Sequence, residues 1–213
     1  MYSSIILDID GTILDNNNVL ISSLQKSLEE ILKIERKIED LEFMTGIDED
    51  TITKKLSIRA NQKQQLLSCW SANIKQASKQ VELFPLVEET LINLKKSGTK
   101  LGIVTSKRNI HLENDFNDFN LNKYFDIIVT SDDTSLTKPN PEPLEYCLKK
   151  LKCSKKEALF IGDSINDLKC ANSAHVDFAL AGWGARDKRL YSLCSKVLNS
   201  FSEIQKMVFL VNN

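Results

Sequence analysis

The chain lacks the patterns that would take it out of water or out of a reducing compartment. Among its 213 residues no apolar run approaches the roughly 20 needed to cross a bilayer, so no membrane partner is expected. The opening segment, MYSSIILDIDGT, has no basic stretch, and its apolar run Ile5-Ile6-Leu7 is too short for an export signal. The five cysteines (Cys69, Cys147, Cys153, Cys170, Cys194) contain no CxxC pair and are accompanied by only two histidines, His111 and His175. That combination spells neither a zinc site nor a disulfide frame, and it reads as small apolar residues of a cytoplasmic protein. Neither sign of charge dominates, since 28 Lys+Arg stand against 29 Asp+Glu, which excludes the basic field of a nucleic-acid binder. What remains, with 42% hydrophobic and 27% charged residues, is a composition that folds.

Four apolar runs have the length of strands: Ile5-Ile6-Leu7, Leu101-Gly102-Ile103-Val104, Ile127-Ile128-Val129 and Ala158-Leu159-Phe160-Ile161. Phe178-Ala179-Leu180 makes a fifth and Lys196-Val197-Leu198 a sixth. Strands apolar on both faces belong to a parallel sheet covered by helices on either side. Amphipathic stretches between them supply those helices. One is opened by Pro85, carries Val87, Leu91 and Leu94 on one face and stops at Gly98; the other runs from Pro141 to Leu151. The fold class is therefore α/β, a Rossmann-like three-layer α/β/α core with right-handed crossovers. From about Asp15 to Glu82 no strand is found, and several helical stripes appear instead, among them Leu20, Leu24, Leu28, Ile31 and Leu32, then Leu66, Leu67, Trp70 and Ile74. The expected organisation is a discontinuous core of residues 1–14 and 84–213 with a small all-helical insertion at 15–83. Asn16-Asn17-Asn18 reads as a turn-forming loop.

Ligands of open α/β sheets bind beyond the carboxyl ends of the strands, so the residues at those exits carry the chemistry. The first exit is Asp8-Ile9-Asp10-Gly11-Thr12, whose two carboxylates, two residues apart on extended chain, converge on one side. Two such charges repel by about 4 kcal/mol at 4 Å and an effective dielectric of 20, so the pair calls for a cation, a proton or water. The second exit is Thr105-Ser106-Lys107, a hydroxyl ahead of a helix. The third, Lys138-Pro139-Asn140-Pro141-Glu142-Pro143, holds three of the four prolines and carries Lys138 on a stiff loop. The fourth is Gly162-Asp163-Ser164-Ile165-Asn166-Asp167, with acids four apart where a helix begins. Singly each has a plainer reading, as a turn, an N-cap, a solvated lysine or a dipole partner. Jointly they set carboxylate pair, hydroxyl, lysine and acid pair at one edge of the sheet. Oxygen-only acids suit magnesium, and a lysine and hydroxyl beside it suit a phosphoryl group.

These four segments, in this order, resemble the motifs of the haloacid dehalogenase-like hydrolase superfamily. The helical insertion after the first motif, with Lys138-Pro139-Asn140-Pro141-Glu142-Pro143, is most similar to the phosphoglycolate phosphatase and β-phosphoglucomutase branch, and Ala181-Gly182-Trp183-Gly184 resembles a segment of its phosphatases. The resemblance implies Asp8 as nucleophile forming an aspartyl-phosphate, and Asp10 as acid to the leaving oxygen and then base to the attacking water. It implies Mg2+ held by Asp8, the Asp10 main-chain carbonyl and Asp163, with Asp167 steadying the metal shell. Thr105, Lys138 and the amides near Gly11 and Ser106 would bind phosphate oxygens. Gly46, in Met44-Thr45-Gly46-Ile47, resembles a cap turn that faces the site. Asp10 argues against dehalogenases and phosphonate-cleaving members, and Gly11-Thr12 tilts from the mutases toward a phosphatase.

The implied function is Mg2+-dependent hydrolysis of a small phosphorylated metabolite such as phosphoglycolate, with a phosphosugar mutase or pyrophosphate hydrolysis as alternatives. Lys54, Lys55 and Arg59 offer cations for a second anion but read first as a solvated helix face. No apolar stripe is clearly left over, so a monomer or homodimer is expected.

Overall fold

The computed structural model describes residues 1–113 and 116–208. Its main sheet has six parallel strands: β1 (Ser4–Leu7), β4 (Lys100–Val104), β5 (Ile127–Val129), β6 (Ala158–Gly162), β7 (Asp177–Ala181) and β8 (Val197–Leu198). Their spatial order is β5-β4-β1-β6-β7-β8, which puts β1 at the centre between β4 and β6. A short antiparallel ribbon, β2 (Leu14–Asp15) with β3 (Glu82–Leu83), stands apart from it.

The alternation along the strands explains the layers. Ile5 and Leu7 of β1, Leu101 and Ile103 of β4, and Leu159 and Ile161 of β6 all belong to one buried cluster. Ile6, Val104 and Phe160, the residues of opposite parity, belong to another. Side chains of period two thus feed a core on each face, as a doubly covered parallel sheet requires. Helix α4 (Val87–Lys96) covers the first face with Val87, Leu91 and Leu94. Helices α6 (Glu142–Leu151) and α7 (Ile165–Ala174) cover the second with Leu144, Cys147, Leu148, Leu151, Cys170 and Ala171. Cys147 lies so close to β4 that a β-carbon on Gly102 would come 2.7 Å from its sulfur. The cysteines are free, and Cys147 and Cys170 fill core positions as small apolar residues do.

A third cluster is independent of the sheet. Helix α1 (Asn17–Leu32), α2 (Glu49–Lys55) and α3 (Ala60–Gln76) join Ile21, Leu24, Leu28, Ile52, Leu66, Trp70 and Ile74 in one small core, with Leu41 and Met44 from the segment between α1 and α2. Two single-turn helices, α5 (Asn109–Leu112) and α8 (Leu190–Leu193), complete the set. No helix among the described residues is long and apolar enough to cross a membrane.

Three local expectations need correction. Asp15 and Glu82 are not helical but lie in the β2–β3 ribbon, where the two passages to and from the helical block pair side by side; two residues per strand are too few to show a period. Asn16-Asn17-Asn18 is not a free turn: Asn16 precedes α1, Asn17 is buried in its first turn, and the Asn16 amide donates to Asp10 at 2.5 Å. Thr105-Ser106-Lys107 does not lead straight into a helix, because α5 is one turn long and starts at Asn109.

Candidate active site

The carboxyl ends of β1, β4 and β6 deliver Asp8, Thr105 and Asp163 to one edge of the sheet, and the loop after β5 delivers Lys138. All four side chains are buried: Asp8 and Lys138 are each 2% exposed, Thr105 3% and Asp163 4%. Lys138, a solvated lysine on the plainest sequence reading, is the most enclosed cation of the site. Its Nζ lies 2.9 Å from Asp8 Oδ1 and 2.7 Å from Asp167 Oδ1, and it donates to the Val104 carbonyl at 3.2 Å. Burial alone would lower the Lys138 ammonium, but Asp167 and Asp8 outweigh it and hold the group above its ordinary value.

The acids are raised as well, which for them disfavours the charged form. Burial pushes the Asp8 carboxyl up to about 7; Lys138 opposes the rise, while Asp167 and Asp10 add to it. Burial also holds Asp163 well above the carboxylate range, with Asp167 and Asp8 as the next causes. Two carboxyls raised in this way are a site short of positive charge. Carboxylate oxygens of Asp8, Asp163 and Asp167 all fall within 4.8 Å of one another, and Asp163 Oδ1 is buried with no hydrogen-bond partner among the described residues. A buried acceptor left over in an all-oxygen cluster fits Mg2+.

Within this cluster the expected metal residues differ in how free they are. Asp167 spends both oxygens: Oδ1 on Lys138, and Oδ2 on the Ser164 amide at 3.1 Å and hydroxyl at 2.5 Å. It sits third in α7 as the return half of a capping box, so the helix start itself fixes it beside Lys138. The Asp10 carboxylate lies outside the three-carboxylate cluster. It pairs with Lys107 Nζ at 2.8 Å and accepts from Asn16.

Glycines allow the close approaches. Gly11 has φ +75°, and a β-carbon there would fall 2.1 Å from Asp163 Oδ2. Gly46 has φ +71° and lies against Ser164, where a β-carbon would come 2.4 Å from the hydroxyl. Its carbonyl accepts from Asn166 Nδ2 at 3.1 Å and from the Ser106 hydroxyl at 3.4 Å. The turn of the helical block that holds Gly46 is thereby tied to two of the four strand exits. Thr105 Oγ1 accepts from the Lys107 amide at 3.2 Å. Lys54, Lys55 and Arg59 are exposed and take no part in the site, as a solvated face would be.

A cavity of about 60 Å³ lies between the helical block and the sheet edge, bordered by Asp8, Asp10, Gly46, Thr105 and Ser106 among others. Lys107, Glu49 and His111 also border it, and none of them was singled out from the sequence for a role. Lys107 sits one residue past the Thr105-Ser106 pair, which was a usable signal. Glu49 and His111, 62 residues apart, meet at 2.6 Å between α2 and α5 only through the fold.

Residues 5–181 match the family model described as haloacid dehalogenase-like hydrolase. The chain belongs to the haloacid dehalogenase-like hydrolases. Within that family it stands among the phosphatases. It is 31% identical over 99% of its length to the protein named pyrophosphatase PpaX of Bacillus mycoides, of which 98% is covered. The PpaX protein of Bacillus cereus (strain ATCC 10987 / NRS 248) is 33% identical over 85% of this chain and 83% of its own. Among solved structures, a Lactobacillus plantarum protein provisionally assigned as a phosphoglycolate phosphatase superposes with a TM-score of 0.89 at 25% identity, covering 98% of this chain and 100% of that one. CbbY of Rhodobacter sphaeroides, crystallised with xylulose-1,5-bisphosphate, shares the fold at 18% identity with a TM-score of 0.82, covering 95% of this chain and 96% of that one.

Proposed function

We propose that this haloacid dehalogenase-like hydrolase is a Mg2+-dependent phosphatase of small phosphate monoesters that works through a phosphorylated Asp8. The observation that carries the reading is Asp8 itself, buried, in contact with Lys138, and clustered with Asp163, whose Oδ1 has no hydrogen-bond partner among the described residues. Asp8, Asp163 and the Asp10 carbonyl would hold the ion, with Asp167 beside them. When bound, Mg2+ supplies the positive charge that lets a phosphate dianion approach carboxylates. The Asp8 carboxylate then attacks phosphorus as the bond to the leaving oxygen breaks, and Asp10 gives that oxygen its proton. Asp10, now a carboxylate, takes a proton from the water that displaces Asp8 from phosphorus. Lys107 and Asn16 keep Asp10 Oδ1 in place for both steps. Lys138, the Thr105 hydroxyl and the amides near Gly11 and Ser106 bind the transferring phosphoryl oxygens, so that positioning and charge supply the catalysis.

Residues 15–83 act in this reading as a cap over the core of residues 1–14 and 84–213. The Gly46 turn seals the site against water once substrate is inside. A second reading, hydrolysis of pyrophosphate, is favoured by the name of the nearly full-length Bacillus relatives. A cytoplasmic location accords with five free cysteines.

The test is Mg2+-dependent phosphate release from a generic aryl phosphate by the wild type and by Asp8→Asn. The variant is expected to lose turnover with its circular dichroism unchanged. Undiminished turnover rejects Asp8 as nucleophile.

A further inference from the structure

The cavity has two unlike halves. At the sheet edge it is polar, with Asp8, Asp10, Thr105 and Ser106. The helical block lines the other half with Leu20, Met44, Ile47, Ile52, Trp70 and Ile74. The single polar atom of Trp70 is already used, since its indole N–H donates to the Leu20 carbonyl at 3.1 Å. The one charged residue that the helical block brings to the described lining is an acid, Glu49.

The lysine and the arginine on the opposite wall each face a carboxylate already. Lys107 lies 2.8 Å from Asp10 and Arg108 3.0 Å from Asp132, while the His111 ring is hydrogen-bonded to Glu49 at 2.6 Å. Lys138 serves Asp8 and Asp167. The adjoining cleft of about 900 Å³, which shares Glu49, Arg108 and His111 with the cavity, adds Asp48, Asp50 and Asp132. The one cation it adds is Lys63, paired to Asp50 at 2.7 Å. The transferred phosphoryl group therefore has a prepared place, whereas a second anion on the same substrate would meet Glu49 and, among the described lining residues, only lysines and an arginine that already face an acid.

We infer that the helical half of this cavity selects phosphate esters whose leaving group is a small neutral alcohol, and that Glu49 is a specificity-determining residue acting against a second phosphate or a carboxylate. The inference deepens the phosphatase reading above and rests on it. A second anion would lose its water beside apolar walls and Glu49, where only cations with existing partners are in reach. Both the unpaired charge and the like-charge contact are costly. A short carbon skeleton instead gains about 25 cal/mol for each Å² it buries against those walls. A hydroxyl on it meets the Glu49–His111 pair, whose His111 Nδ1 is buried without a partner among the described residues.

The experiment compares kcat and KM of the full chain with Mg2+ on glycerol phosphate, phosphoglycolate and pyrophosphate, for the wild type, Glu49→Gln and Asp8→Asn. Glycerol phosphate is expected to have the highest kcat/KM, by about tenfold or more over both anionic substrates, as a like-charge contact predicts. Glu49→Gln should narrow that gap chiefly by lowering KM for phosphoglycolate. Equal or faster hydrolysis of phosphoglycolate by the wild type overturns the inference and leaves the phosphatase reading standing; equal or faster hydrolysis of pyrophosphate overturns the inference and favours the second, pyrophosphate reading. A gap that Glu49→Gln does not narrow overturns the role of Glu49. Hydrolysis of none of the three, with wild type and Asp8→Asn alike, overturns the phosphatase reading and the inference with it.

Discussion

Gly184 stands against the carbonyl of Gly11 so closely that a β-carbon on Gly184 would lie 1.7 Å from that oxygen. The loop after β7 is thus pressed onto the loop that carries Asp10, and Trp183 ties the two together by donating its indole N–H to the Thr12 carbonyl at 2.9 Å. Since the obstacle is backbone, Gly184→Ala has no side chain to push aside. It should displace Gly11, and with it Asp10, at an overpacking cost of about 1–3 kcal/mol. Thermal denaturation should show a Tm lower by roughly 2–10 °C, and the loss in kcat should be larger than any change in KM. Gly98→Ala is the control: it shares the positive φ, at +77°, but nothing lies within 4 Å of its added carbon, so it should lower Tm without lowering kcat.

Lys138 bridges Asp8 and Asp167 from inside the protein, and Lys138→Met would leave both acids buried without it. Removing one member of a buried ion pair costs about 3–5 kcal/mol. Urea titration should therefore show a lower midpoint at an unchanged slope, together with loss of turnover. Saturating Mg2+ should restore part of the stability and none of the turnover, because the ion replaces charge and not the lysine's position. A midpoint equal to the wild type's would remove Lys138 from its structural role.

The residues legible in the sequence were those whose placement follows from local pattern. Asp8, Thr105 and Asp163 each end a continuous apolar run, and the parallel sheet then aligns the ends. The helical block was legible from its stripes, because Leu24, Leu28, Leu66, Trp70 and Ile74 recur at helical spacing and do form one buried cluster. The partners of those residues were not legible. That Lys107 answers Asp10, that Asn16 steadies it, and that His111 meets Glu49 all depend on how separate elements dock. A sum of charges near zero hid the same fact, since Lys107 and Asp10 cancel in the total while facing each other at 2.8 Å in the fold.

Gly46 carries the contact between the helical block and the exits of β4 and β6. An alanine there meets the Ser164 hydroxyl at 2.4 Å and must also hold φ +71°. The Ser164 hydroxyl cannot swing away freely, as it donates to Asp167 Oδ2 at 2.5 Å. Gly46→Ala should therefore shift the turn outward and weaken the hydrogen bonds from Asn166 and Ser106 to its carbonyl. A misplacement of about 1 Å beside the site is worth up to about 100-fold in rate. Steady-state kinetics should show a fall in kcat/KM far beyond what the accompanying change in Tm explains. Wild-type kinetics in the variant would detach the Gly46 turn from the site.

Magnesium should stabilise the protein more as pH rises. Burial pushes Asp8 from an ordinary 3.8 up to about 7 and raises Asp163 well above the same value, so the metal-free folded chain binds protons that the unfolded chain has already lost. For groups raised on folding, the stability they contribute is fully present below about 3.8 and is lost as pH climbs through about 7. A metal needs these same groups deprotonated, so its affinity grows over that range while the metal-free protein weakens. Thermal melts in a chelator should show Tm falling between pH 6 and pH 8, and melts in saturating Mg2+ should show a smaller fall or a rise. Asp163→Asn removes one raised acid and one ligand together: its chelator-treated Tm should depend less on pH, and its response to Mg2+ should nearly vanish. A Mg2+ response that is the same at pH 6 and pH 8, or that survives in Asp163→Asn, would place the ion away from this cluster.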